Sequence, residues 1–149
     1  METLNISFNI KGRWDGDRNG SGLMTTNGVQ VPVSAPAGLA GPGIGSSPEE
    51  LLVTSAATCY IITLASILRK REINYSPLEI NSEAIVQKEG NTLTFKEIIH
   101  RPVIILNDGN EEKKKMVEQL AQRAEKACFI GRTLKPGVTI SVQPEIRFA

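Results

Sequence analysis

Two cysteines, one histidine and a handful of charges are the main chemical resources of this chain. A thiol can attack an electrophile, ligate a metal or pair with a second thiol, and its reactivity rests on the thiolate. Cys59 stands inside the uncharged run from Leu51 to Leu68, and Cys128 lies on the apolar stripe of a second helical segment. Free cysteine is among the most buried residue types, so packing and redox chemistry both account for these positions. His100 is the only histidine, so any Ser-His-Asp or Cys-His arrangement must use it. Its strand-like surroundings read as those of a plain surface or half-buried residue. No Cys/His cluster has zinc-site spacing, and neither GxGxxG nor GxxxxGK(S/T) occurs. Lys113, Lys114 and Lys115 are flanked by Glu111, Glu112 and Glu118, the pattern of a solvated helix face.

The rest of the composition narrows the setting. The chain has 149 residues with 40% hydrophobic and 22% charged, ordinary values for a globular protein, and residues 1–149 read as one domain. A net charge of +1 supplies no basic field for a phosphate backbone. Met1 to Asn5 lack the basic-then-apolar pattern of a signal peptide. A reducing cytoplasm is therefore expected, where a static structural disulfide is uncommon. Of the 18 uncharged residues from Leu51 to Leu68, five are Ser or Thr, which favours a buried helix over a membrane span.

The elements that position the cysteines follow from pattern. Leu4, Ile6, Phe8 and Ile10 alternate with polar residues, the period of a half-buried strand. Asn27-Gly28 between two apolar runs predicts a two-residue hairpin, with Pro32 at an edge or bulge. Residues 34–48 hold four glycines and three prolines and predict a long loop, either functional or a spacer. Ser47-Pro48-Glu49-Glu50 predicts a helix start, the helix running to about Arg71. Its middle is apolar or small all round, so burial on more than one face is expected, one side being covered by a partner chain. A hairpin turning at Glu89-Gly90-Asn91 should follow, with a bulge or edge near Pro102. Val117, Leu120, Ala121, Ala124 and Cys128 predict a second helix closing near Gly131, and Val138, Ile140 and Val142 a last strand. The order is α+β.

Ser47-Pro-Glu-Glu-Leu-Leu-Val-Thr-Ser-Ala-Ala-Thr-Cys59 resembles the first-cysteine motif of the OsmC/Ohr family of hydroperoxide reductases, with Cys eleven positions after Pro48. Ala124-Glu-Lys-Ala-Cys128 resembles its second-cysteine segment, and Gly16-Asp-Arg18-Asn-Gly20 its Gly-x-Arg segment. The resemblance implies an α+β fold, with meander and hairpin strands wrapped around two central helices in an intertwined homodimer. It implies a peroxidatic Cys59, a resolving Cys128, an activating Arg18 and Glu49 as the acid paired with that arginine. It further implies reduction of organic hydroperoxides, with inorganic ones as a second substrate class, and no metal or prosthetic group. An external dithiol or small thiol, lipoyl among them, would restore the enzyme. Two positions depart from the family pattern. Phe129 follows the second cysteine where Pro is usual, and Glu125-Lys126-Ala127 stands where a His often precedes it. A binding protein of the same fold, holding an apolar ligand beside structural cysteines, is the competing reading.

Overall fold

The computed structural model describes all 149 residues, in two compact units, Met1–Leu51 and Leu52–Ala149. In the first unit, β1 (Lys11–Asp15), β2 (Ser21–Thr26) and β3 (Val29–Val33) form an antiparallel sheet in that order. Asn27 (φ 46°) and Gly28 (φ 81°) both adopt positive φ, which makes the expected hairpin turn. Pro32 is paired with Leu23 on the edge strand, where its missing amide costs no ladder bond. The strand expected at Leu4–Ile10 is absent. Residues 1–10 have no regular structure, and Leu4, Ile6, Phe8 and Ile10 are all exposed. Alternation makes a segment fit for pairing but supplies no neighbour, and this segment has none.

Residues 34–48 are a closed loop rather than a slack spacer. Ser34 Oγ donates to the Ile44 carbonyl (2.8 Å) and accepts from the Ile44 amide (2.7 Å), and Ser46 N donates to Pro32 O (2.8 Å). A short 3-10 turn, Ala37–Leu39, sits inside it. Gly45 has φ 67°, and a Cβ there would come within 2.2 Å of Pro32 O, so only glycine lets the loop close.

The loop delivers the chain into α1 (Pro48–Lys70) through a reciprocal cap. Glu50 N donates to Ser47 Oγ (3.2 Å), while Ser47 N and Ser47 Oγ both donate to Glu50 Oε1 (3.1 and 2.8 Å). Pro48 takes the first helical position, and Arg69 and Lys70 close the last turn. The helix ends where Glu72 turns to φ 55° and Ile73 N bonds back to Leu68 O.

In the second unit, Ala56, Tyr60, Leu64 and Leu68 form the one fully buried stripe of α1. The expectation of burial on several faces is not met within the chain: Thr54, Ser55, Thr58, Ile62 and Ser66 are exposed. The helix is long and apolar enough to cross a membrane, yet its stripe is packed into a protein core. β4 (Glu79–Glu89) and β5 (Thr92–Leu106) form the hairpin, turning at Gly90 and Asn91. β5 is the central strand, not an edge, and the irregularity in the hairpin falls at Ile85/Val86. Pro102 is accommodated differently from expectation. β6 (Thr139–Val142) pairs in parallel with Glu97–His100 and β7 (Glu145–Phe148) with Val103–Leu106, leaving Pro102 opposite the gap between them. Between hairpin and β6 lie α2 (Glu111–Ala127) and the short α3 (Phe129–Leu134). Asn110 caps α2 by accepting from Lys113 N (3.0 Å). The core brings Tyr60, Leu64 and Leu68 against Ile104, Leu106, Val117, Leu120, Ala121 and Ala124.

Candidate active site

Cys59 lies three full turns into α1, one residue before the buried Tyr60, and is half-buried. Thr63 Oγ1 donates to its carbonyl (2.8 Å). It lines a cavity of about 500 Å³ with Ser55, Thr58, Ile62, Thr63, Phe129 and Ile130. The wall is mainly apolar, and the Phe129 that departs from the family pattern is part of it.

Cys128 is not inside a helix. α2 stops at Ala127, and Cys128 takes an extended conformation (φ −73°, ψ 116°) at the corner between α2 and α3. Its amide bonds back to Glu125 O (3.3 Å) and its carbonyl accepts from Arg132 N (3.0 Å). Only 2% of the residue is exposed. The corner brings its thiol into the packing beside Cys59, and neither thiol is in a disulfide. Burial pushes the Cys128 thiol up to about 11, and the neighbouring Cys59 acts in the same direction. The Ile130 and Gly131 amides oppose this without reversing it. Cys128 therefore keeps its proton at neutral pH. The pair can close into a bridge if Cys59 is first made electrophilic.

Two further polar groups lie in the packing around Cys128. The Tyr60 hydroxyl donates to Ala121 O (2.9 Å), and burial, with Glu125 and Cys128 nearby, holds it well above the usual tyrosine range. Glu125 is buried and its Oε1 lies 2.6 Å from Lys135 Nζ, an ion pair by distance that lacks hydrogen-bond geometry. Glu125 follows Ala121 by four residues on the buried stripe of α2, and a carboxylate there needs a partner. That spacing was the available signal for this pair.

In the first unit, Arg18 sits in the tight loop between β1 and β2. Gly16 has φ 98°, Asn19 N donates to Asp17 Oδ1 (2.9 Å), and Gly20 N donates to Asp17 O (2.9 Å). Arg18 Nη2 donates to Leu39 O (2.8 Å) and the side chain is exposed. It borders a cavity of about 320 Å³ with Trp14, Asp17, Val33, Ser34, Ala35 and Pro48. Glu49 is not its ion-pair partner within the chain, and Glu49 Oε1 is buried without a hydrogen bond.

His100 is buried, not at the surface. Its Nδ1 lies 2.6 Å from Ser82 Oγ, and burial lowers its pKa to about 4. It is a neutral core residue.

Residues 41–143 match the family described as OsmC-like protein. This chain belongs to the OsmC-like family. It is 33% identical over 141 residues to the uncharacterized protein YmaD of Bacillus subtilis, covering 94% of both chains. Among solved structures, an OsmC-like protein of unknown function from Vibrio cholerae superposes with a TM-score of 0.80 at 15% identity, covering 94% of this chain and 99% of that one. The organic hydroperoxide resistance protein OsmC of Legionella pneumophila gives 0.72 at 17% identity, covering 95% and 99%. OhrB of B. subtilis, also an organic hydroperoxide resistance protein, gives 0.64 at 21% identity, covering 93% and 98%. The α+β architecture is thus the OsmC-like fold.

Proposed function

We propose that this protein is a thiol-dependent hydroperoxide reductase working through Cys59 and Cys128. The observation that carries the reading is the thiol pair itself, one member on a cavity wall and the other buried and protonated. The Cys59 thiolate attacks the outer peroxide oxygen, the O–O bond breaks, and the alcohol leaves with a proton. Cys59 is left as a sulfenic acid. Cys128 then attacks the Cys59 sulfur; the S–O bond breaks, the Cys128 proton leaves with the hydroxide as water, and the disulfide forms. An external dithiol, lipoyl or a small thiol, returns both thiols. Because Cys128 holds its proton, the first attack falls to Cys59.

Arg18 is assigned the activating cation and Glu49 its carboxylate, in a homodimer. Arginine keeps its charge in a closed pocket, and a carboxylate fixes its orientation. Glu49 precedes Cys59 by ten residues on one unbroken helix, about 15 Å along the axis at 1.5 Å per residue. It cannot easily reach back to its own Cys59. The partnerless oxygen of Glu49 and the open, uncharged face of α1, mostly small hydroxyl residues with Ile62, both support contact with a second copy, Glu49 of one protomer serving the other's cysteine. Adding cumene hydroperoxide to the reduced protein should consume two thiols per chain and give a Cys59–Cys128 peptide cross-link by mass spectrometry. Unchanged thiols would refute the reading and favour a ligand-binding role.

A further inference from the structure

The corner that carries Cys128 is fastened across its back. Glu125 ends the buried stripe of α2, three residues before Cys128, and Lys135 follows the last turn of α3, seven residues after it. Their side chains meet at 2.6 Å, the carboxylate only 10% exposed and the ammonium 35%. The backbone of the same corner supplies three more ties: Cys128 N to Glu125 O, Arg132 N to Cys128 O (3.0 Å) and Lys135 N to Gly131 O (2.9 Å). α3 has six residues, too short to hold its direction alone. The ion pair joins its end to the body of α2, and Cys128 is the vertex of the angle so fixed.

We propose that Glu125 and Lys135 are positioning residues for the resolving thiol: their ion pair holds the α2–α3 corner at the angle that points Cys128 Sγ at Cys59. The inference rests on the two-cysteine reading. The step it governs is the condensation of Cys59–SOH with Cys128–SH to the disulfide and water. The competing step is a second hydroperoxide converting Cys59–SOH to the sulfinic acid, the hydroperoxide leaving as its alcohol. A loosened corner slows the first and leaves the second untouched, so the quantity to read is the ratio of bridged to overoxidised protein. Unfolded molecules would oxidise without that geometry, so the ratio is read on folded protein isolated by gel filtration.

The experiment compares wild type, Lys135→Met, Lys135→Arg and the double variant Glu125→Gln/Lys135→Met, which carries no unpaired buried charge. Each is treated with graded cumene hydroperoxide and, separately, with diamide, which oxidises thiol pairs without peroxide. Lys135→Met and the double variant should reach equal bridged and sulfinic fractions at about tenfold less hydroperoxide than wild type, with Lys135→Arg restored. Their bridging by diamide should slow similarly. A wild-type ratio in both Met-bearing variants overturns the clamp while leaving the peroxidase reading intact. Wild-type thiols that resist hydroperoxide but bridge with diamide, faster than in Lys135→Met, overturn the peroxidase and keep the clamp.

Discussion

The ring of Tyr60 stacks on that of His100, centroids 4.9 Å apart and planes 16° from parallel. Tyr60 is the residue after Cys59, and His100 is the last β5 residue paired with β6, so this contact sets the rotation of α1 against the sheet. With the Tyr60 hydroxyl held by Ala121 of α2, the turn bearing Cys59 is referenced to both elements that lead to Cys128. Cys59 is thus carried on a helix braced against the sheet and α2, and Cys128 on the short corner between α2 and α3.

Cys59→Ser should abolish hydroperoxide reduction. Cys128→Ser should permit a single oxidation and then stall or overoxidise. Peroxide consumption and intact mass on the two variants check this, and turnover by Cys59→Ser would contradict the assignment.

Because burial is the larger cause holding Cys128 protonated, bridge closure should accelerate with pH. Below a thiol pKa the thiolate fraction grows about tenfold per unit. Stopped-flow measurement of closure between pH 7 and 10 should rise steadily toward the value of about 11. A rate flat over that range would show that Cys128 is not the attacking group.

His100 titrates lower in the folded chain than its usual 6.5, at about 4. The unfolded chain therefore binds the proton first as pH falls. The associated stability is present above pH 6.5 and lost as pH falls through about 4, at most about 3 kcal/mol. Thermal unfolding of His100→Asn should show a shallower decline from pH 7 to 4 than wild type.

Ser47→Ala removes one half of the reciprocal cap on α1. It should cost about 1 kcal/mol and lower Tm by about 3 °C with peroxide chemistry retained. Calorimetry alongside thiol oxidation separates these effects.

Arg18→Ala should slow alkylation of Cys59 by iodoacetamide at pH 7 and its oxidation by at least tenfold, with unchanged circular dichroism. Mixing Glu49→Ala with Cys59→Ser under subunit exchange should restore activity at one site of a heterodimer. Sedimentation of a fully active monomer would overturn the shared site.

Asn27-Gly28 and Ser47-Pro48 announced their turn and cap because each depends on a few adjacent residues. The uncharged run from Leu51 to Leu68 likewise located Cys59 within a helix, of which the structure buries a single stripe. What the sequence hid is non-local. Leu4 to Ile10 have a strand's alternation, but whether a neighbouring strand exists is a tertiary fact. Cys128 keeps helical spacing with Val117 to Ala124, yet the helix breaks one residue before it. β7 holds only two apolar residues, Ile146 and Phe148, and owes its existence to the length of β5. Pro102 signalled an edge because a proline in a central strand needs a gap opposite it, and only the two short partners reveal that gap.

The order in which β5 finds its neighbours bears on how the chain folds during synthesis. β4 meets β5 through a two-residue turn, so that hairpin can form as soon as Leu106 has emerged. Its parallel partners begin only at Thr139 and Glu145, after two helices have been made. Through that interval one margin of a fifteen-residue, Ile-rich strand is unpaired, the kind of surface on which nascent chains stick to one another. α2, arriving first with Val117, Leu120 and Ala121, shelters the apolar side chains but not the backbone. The nascent chain stays vulnerable to aggregation until β6 and β7 have emerged.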